Sequence, residues 1–521
     1  MPTPKRPTLS KALIERARPV RQRVPNFQSG VLTEPLLLFG GQHMHVDPKT
    51  GLALYGPYTA KDQRAPHIRS IAVGIIGPPA MISDAELWLE ACRGVITNDG
   101  SQPFLYPHFP GFNAQGPIQC DLVGGDAWRE AIRESELKAA VSKPLFIDRV
   151  KAVVALYIEK IAVLAQREPK PHVILCCLPQ MVVDACTREK AAERKLRRLQ
   201  TKSFGKTSRS QLTLFTEDQD ESPAHQNLRR GLKAEAMRYG VPTQLVWPRT
   251  LTLAGQAANA RTQDDATRAW NFTTALYHKA GGAPWRLADL DPDTCFVGIS
   301  FYRELGVDSP QMRTSMAQAF TAAGDGYVLR GETFEWDEGN RSPRLSKNLA
   351  ASLLTDVIDL YKNQNRGSLP GRIVVHKSSA FSEDELAGLE QACSLVPRKD
   401  FLAIGCRNLQ FYRRGNYPAL RGTYVKFSDT DLALYCSGYV PFLRTYPGAR
   451  VPRPLEILEH HGDSSWLDVL REILALTKMN WNSADFAGRQ PITLGFARRV
   501  GQVLAEIPVG GKILPEYRFY M

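Results

Sequence analysis

RIVVHKSSAF, residues 372–381, is the stretch on which the fold turns. The apolar, β-branched run Ile373, Val374 and Val375 reads as a strand buried on both faces. It ends in His376, Lys377, Ser378 and Ser379, and a polar cluster at a strand end is where many enzymes hold their chemistry. The question is whether these residues form an active site or stand where a carboxylate is missing.

Working outward, TCFVGISFY (294–302) reads as a strand and GYVLRGETFEW (326–336) as a second strand with a turn. Residues 346–364 have helical spacing, and RIVVHKSS then supplies a third strand. Strand, strand, helix, strand suits a ribonuclease-H-like unit over 289–521. Upstream, IAVGIIG (71–77), HVILCCL (172–178) and VPTQLVW (241–247) are buried-strand patterns, with a helical pattern at 145–167. Alternating strands and helices predict a second parallel α/β unit over 71–288.

Residues 31–70, rich in Gly and Pro, read as linker-like. Residues 1–30 read as a basic arm, with seven Lys or Arg and one acid before Pro25. Residues 187–222 interrupt the first unit with eight Lys or Arg between 188 and 206, followed by the acidic TEDQDES, and read as a basic, flexible insertion.

Composition bounds the function. Length 521 implies more than one domain. No apolar run reaches the ~18–20 residues that span a bilayer, and the N-terminus lacks the apolar centre of a secretory signal. An organellar transit peptide is the alternative to the expected cytoplasmic location. The nine cysteines form no CxxC pair, which argues against a disulfide framework or zinc site and for buried thiols. A net charge of +13 and pI near 9.3 point to a polyanion, with nucleic acid first and plain solubility charge second.

Two helices carry candidate ligands. In SPAHQNLRRGLKAEAMRYG (222–240), Ser222 is placed to cap, Pro223 to open and Gly240 to end a helix. Leu228, Leu232 and Ala236 form its apolar line, with Arg229 and Lys233 one turn apart beside it. Such a pair can hold a phosphate, although a solvated face has the same spacing. DDATRAWNFTTALYHKAGG (264–282) places Asn271 and Lys279 on one side of a second helix and closes at Gly281-Gly282.

Taken together these segments resemble a short prokaryotic Argonaute, a Rossmann-like MID domain followed by an RNase-H-like PIWI domain. EPLLLFGG and GLALYGPY are similar to the linker before MID. RGTYVKFSDTDLALYCSG (421–438), YPGARVPRPLEI (446–457), LTKMNWN (476–482) and PITLGFARRVG (491–501) are similar to successive PIWI segments. The resemblance implies a guide 5′-phosphate pocket at Arg229, Lys233, Gln244 and Lys279. It further implies Mg²⁺ at that phosphate, with the C-terminal carboxylate of Met521 as a ligand. Asn271, His376, Lys377, Arg413, Arg414 and Arg421 are candidate contacts to the nucleic-acid backbone.

Slicing relatives hold two metals with Asp, Glu, Asp and a final Asp or His. The matching positions here are Ser300, Ser378 and Gly495, with Glu332 near the glutamate position, so the chain is expected not to cut. Ser–Lys nucleophilic catalysis at 377–378 lacks an oxyanion or orienting-acid signature. The implied partners are a guide RNA, a target single-stranded DNA and an APAZ-domain effector protein carrying a TIR, sirtuin-like or nuclease module, acting in prokaryotic defence against plasmids or phages. An active guide-dependent nuclease and a guide-independent nucleic-acid binder remain as alternatives.

Overall fold

The computed structural model describes residues 27–60, 67–187, 225–252, 263–302, 311–318, 326–335, 343–406, 410–428, 431–448, 450–507 and 511–521. The basic arm up to residue 26, the basic insertion beyond Thr187, and the Ser222-Pro223 helix start lie outside them. No described helix is long and apolar enough to cross a membrane.

The stretch expected to be linker-like is folded. Strand β1 (Gln28–Val31) pairs antiparallel with residues 423–426, and β2 (Leu37–Leu38) and β3 (Met44–His45) form a hairpin that leads into a helix, Pro48–Tyr55. The Asp47 carboxylate caps this helix, accepting from the Thr50 amide at 2.7 Å. Leu37 and Phe39 are wholly buried. The Gly and Pro content therefore marks tight turns rather than slack chain. Glu34 anchors the segment by accepting from Arg421 Nε at 3.0 Å and pairing with Lys478 at 2.8 Å.

The first α/β unit contains β4 (Ser70–Gly77), β5 (Asp121–Val123), β6 (Arg129–Ala131), β7 (Val173–Cys177) and β8 (Thr243–Val246). Its order is β5-β4-β7-β8, all parallel, with β6 also against β4. Helices Pro79–Arg93 and Asp265–Lys279 cover one face, and Phe146–Ala165 and His225–Ala236 the other. Val173, Leu175 and Cys177 enter one core and Ile174 and Cys176 the other, which is why VILCC is apolar without alternation.

Strand β9 (Arg286–Leu287) pairs with β2 and joins the halves. The second unit adds β10 (Thr294–Tyr302), β11 (Gln311–Gln318), β12 (Tyr327–Glu335), β13 (Arg372–Lys377), β14 (Arg398–Cys406), β15 (Thr423–Lys426), β16 (Leu432–Leu434) and β17 (Leu455–Gly462). With β1 these build a sheet of order β1-β15-β16-β17-β14-β13-β10-β11-β12 among the described residues. Its centre, β14-β13-β10, is parallel and its flanks are antiparallel. Helices Lys347–Gln364 and Glu383–Ala392 pack on one face and Trp466–Leu476 on the other. Strand β11 was not foreseen, because QMRTSMAQ has no run of β-branched or alternating apolar residues.

The two units share one apolar core, in which Trp88, Trp270, Trp285, Trp481, Phe519 and Tyr520 are buried together. All nine cysteines are free thiols, and eight of them are buried.

Candidate guide-binding site

Arg229 and Lys233 reach a common cavity because the apolar stripe beside them fixes how their helix docks. Leu228, Leu232 and Ala236 dock against the Phe146–Ala165 helix, and the cations are left facing β8. The helix ends at Gly240, whose φ of +64 is the left-handed conformation expected of that glycine. The chain then enters β8, which carries Gln244.

Lys279 comes from the end of Asp265–Lys279, a helix capped by Asp264, whose carboxylate accepts from the Thr267 amide at 2.8 Å. The turn that follows is built by glycine. Gly281 has φ +103, and a Cβ on Gly282 would lie 2.2 Å from the Tyr277 ring.

The four residues assigned to the pocket from sequence meet. Lys279 Nζ donates to Gln244 Oε1, and Lys233 Nζ donates to the Thr243 carbonyl at 3.1 Å. Arg229, Lys233 and Gln244 line a cavity of about 250 Å³ with Met521, Trp247, Arg249, Thr187 and Asn482. Among its described lining residues none has an Asp or Glu side chain. Both lysines are almost fully buried, at 2% and 1% exposure. Among the described residues neither pairs with a carboxylate.

Electrostatics follow from that geometry. Burial pushes the Lys233 ammonium well below its usual range, and the charges of Lys279 and Arg229 push it further. Lys279 is lowered to about 7, by burial first and Arg229 second. Neighbouring His278 is held neutral by burial, at about 3. Two buried ammonium groups that no described carboxylate pairs are a cost that a bound anion relieves. Elements of the first unit and Asn482 and Met521 of the second thus converge on one basic cavity.

Trp247, Arg249, Thr187 and Asn482 were missed from sequence. Trp247 and Arg249 follow directly from the VPTQLV strand, where the Arg249 guanidinium lies 5.1 Å from the Trp247 ring centroid. A strand's carboxyl end was the available signal for them. Asn482 ends the LTKMNWN segment, but only the tertiary fold brings it to this cavity.

Three candidate backbone contacts are corrected by burial. β13 lies mid-sheet with both faces covered, so its polar residues point into the layers. His376 is wholly buried, with Nδ1 2.8 Å from Thr493 Oγ1. Lys377 is buried and gives Glu385 two hydrogen bonds of 2.6 and 2.7 Å. Arg421 is spent on Glu34, Thr477 and the carbonyls of Cys436 and Leu474. None of the three faces a phosphate backbone. Asn271 is half-buried, and its Oδ1 accepts from the Ala484 amide at 3.0 Å, bracing the Lys279 helix against the second unit. Arg413 and Arg414 are exposed.

At the strand ends, Ile299 lies opposite Lys377 on parallel β10 and β13, so Ser300 and Ser378 come next, side by side. The Ser300 hydroxyl donates to the Ala497 carbonyl at 2.7 Å, in the helix Ile492–Leu504 that carries Gly495. A Cβ on Gly495 would meet no atom within 4 Å. Glu332 is exposed on β12, two strands away, where it accepts from Ser352 at 3.2 Å. Among the described residues no group of three or more His, Cys, Asp or Glu is placed to hold a metal ion.

No family model matches the chain, and no curated protein matches it. Solved structures do. Clostridium butyricum Argonaute bound to a guide DNA and a 19-mer target DNA is 16% identical, with a TM-score of 0.60 over 93% of this chain and 54% of that one. Drosophila Piwi is 12% identical, with a TM-score of 0.57 over 95% of this chain and 56% of that one. A. aeolicus Argonaute is 16% identical, with a TM-score of 0.51 over 93% of this chain and 54% of that one. The chain spans about half the length of these proteins. A Rossmann-like unit followed by an RNase-H-like unit, matched over almost its whole length by Argonaute and Piwi structures, gives this chain an Argonaute-type MID–PIWI fold.

Proposed function

We propose that this chain holds a 5′-phosphorylated guide RNA, uses it to recognise complementary single-stranded DNA, and does not itself cut. The observation that carries this reading is the meeting of Lys233, Gln244 and Lys279 beside Arg229, both lysines buried and, among the described residues, not paired with a carboxylate. A terminal phosphate supplies the missing charge, and Gln244, already bonded to Lys279, is placed to orient it. Beyond the anchor, base pairing reads the sequence while the protein reads backbone and shape. The structure of Clostridium butyricum Argonaute bound to a guide DNA and a target DNA supports a guided mode.

Silence at the strand ends is inferred from Ser300, Ser378 and Gly495. A hydroxyl is a poor ligand for a hard divalent ion, and a glycine offers no side chain at all. The output then falls to a separate APAZ-domain effector bearing a TIR, sirtuin-like or nuclease module, in defence against plasmids or phages.

Oxygen donors at the cavity suit Mg²⁺ in one way. Mg²⁺ is commonly held by one or two carboxylates together with substrate phosphates. The Met521 carboxylate and the guide phosphate would hold it here, and the ion would neutralise phosphate charge. Chelation is then expected to weaken 5′-phosphorylated guides and to leave 5′-hydroxyl guides unaffected.

The direct test compares 5′-phosphorylated with 5′-hydroxyl RNA on wild type and on Lys233→Ala/Lys279→Ala. Selective loss of affinity for the phosphorylated guide is expected, and equal loss for both refutes the pocket. Guide, target and Mn²⁺ incubated with pure protein should leave the target whole. Cleavage that disappears in a variant of this chain would establish the active-nuclease alternative. Sequencing co-purified nucleic acid separates the guide holder, which retains short 5′-phosphorylated RNA, from a guide-independent binder.

A further inference from the structure

We propose that residues 410–418, QFYRRGNYP, form a second nucleic-acid contact, on which Tyr412 stacks against an unpaired base while Arg413 and Arg414 meet the flanking phosphates. The proposal rests on the nucleic-acid reading above but uses no residue of the phosphate cavity.

Exposure comes first. Tyr412 is 91% exposed, the highest value among the large exposed hydrophobic side chains of the described residues, and Tyr417 is 43% exposed. An aromatic ring kept in water gains nothing for folding, since stabilisation follows the apolar area removed from solvent. Neither is the ring there because its surroundings are loose. The preceding residue, Phe411, donates its amide to the Tyr435 hydroxyl at 2.7 Å and packs 6.0 Å from Phe427 and 5.8 Å from Tyr435. On the other side, Tyr417 lies 4.7 Å from Tyr439, whose ring also has the Arg413 guanidinium 5.8 Å from its centroid. Tyr412 is thus held out between two seated aromatics.

Chemistry decides the kind of partner. No Asp or Glu occurs from 401 to 428, while Arg413 and Arg414 are exposed next to Tyr412. Aromatic rings on both sides of a guanidinium pair, with no acid in the surrounding sequence, match a strand that offers both π-faces and phosphates.

Position agrees with this. β10, β13 and β14 are parallel, so their carboxyl ends share one rim of the sheet. Cys406, the last residue of β14, lies opposite Leu455, which lies opposite Leu434 at the end of β16. Tyr435, the anchor of Phe411, follows at once. The platform therefore stands on the rim that carries Ser300 and Ser378, and ligands of open α/β sheets gather at such carboxyl ends.

The test loads wild type, Tyr412→Ala, Tyr412→Phe and Arg413→Gln/Arg414→Gln with one 5′-phosphorylated RNA and titrates labelled complementary single-stranded DNA with an unpaired flank. Tyr412→Ala should weaken target binding at least about fivefold, Tyr412→Phe should match wild type, and the arginine pair should flatten the salt dependence. Guide affinity, measured separately, should not change in any variant. Normal guide loading with an unaffected Tyr412→Ala overturns the platform alone, whereas failure of wild type to load guide overturns the cavity reading. Equal loss in Tyr412→Ala and Tyr412→Phe overturns stacking. Loss of a co-purifying protein with unchanged target affinity assigns the ring to a protein partner and overturns the proposal as well.

Discussion

Loading a 5′-phosphorylated guide is expected to take up protons, and the structure sets the scale. With the cavity empty, Lys279 titrates at about 7, lowered by burial and then Arg229, so it is roughly half protonated at neutral pH. Lys233 is depressed well below its usual range by burial, Lys279 and Arg229. Among the described residues, the titratable groups around them include Cys176 on β7, His278 beside Lys279, Tyr517 and the terminal carboxylate of Met521. The Cys176 thiol is raised to about 12 by burial, and His278 is lowered to about 3, so neither titrates near neutrality.

A phosphate dianion favours the charged form of both lysines. Binding near pH 7 should therefore take up roughly half a proton through Lys279 and up to about one more through Lys233. The sign follows directly. Affinity falls as pH rises above about 7, by up to about tenfold per pH unit for each proton taken up. Below about pH 6 the phosphate loses its second charge, so affinity falls on that side too. Calorimetry in two buffers of different ionisation enthalpy counts the protons, with a 5′-hydroxyl guide as the blank. Heat independent of buffer, together with affinity flat from about pH 6.5 to about 8.5, would refute the charge assignment.

Lys377→Ala should destabilise by about 3–5 kcal/mol because Glu385 stays buried without its cation. Its folded fraction should bind nucleic acid like wild type, and weaker binding at unchanged stability would reinstate Lys377 as a contact. Asp400 accepts from Arg372 Nε at 2.7 Å, from His460 at 2.8 Å and from the Ser464 hydroxyl at 2.7 Å. Burial alone would raise its carboxyl, but the bonds from His460 and Ser464 and the Arg372 charge bring it down to about 2. Its stabilising effect is thus complete above the unfolded value near ~3.9 and is lost as pH falls toward about 2. Asp400→Asn should cost about 3–5 kcal/mol in denaturant melts at pH 7, with the gap to wild type closing in that acid window. Gly282→Ala presses a methyl group into the Tyr277 ring, whose hydroxyl is held 2.9 Å from Thr59 Oγ1. A loss of about 1–3 kcal/mol is expected in thermal melts, with a matching loss of preference for 5′-phosphorylated guides as Lys279 shifts.

Strands and helices with an unbroken apolar pattern were legible in the sequence. TCFVGISFY forms β10 at the bounds read for it, and RIVVHKSS forms β13 short of its two serines. It also placed Arg229 and Lys233 one turn apart beside an apolar line, because helical spacing is a local property. The resemblance then added Gln244 and Lys279, which the fold brings into contact.

Which polar residues reach solvent depends instead on long-range packing. His376 and Lys377 look like a strand-end cluster in one dimension, but central placement in a sheet covered on both faces turns them inward, and only Ser378 emerges. Arg421 is drawn inside by Glu34, which lies 387 positions away, and Asn482 and Met521 reach the cavity from the far end of the sequence. Burial and pairing of this kind depend on contacts between residues distant in sequence, which composition and periodicity do not encode.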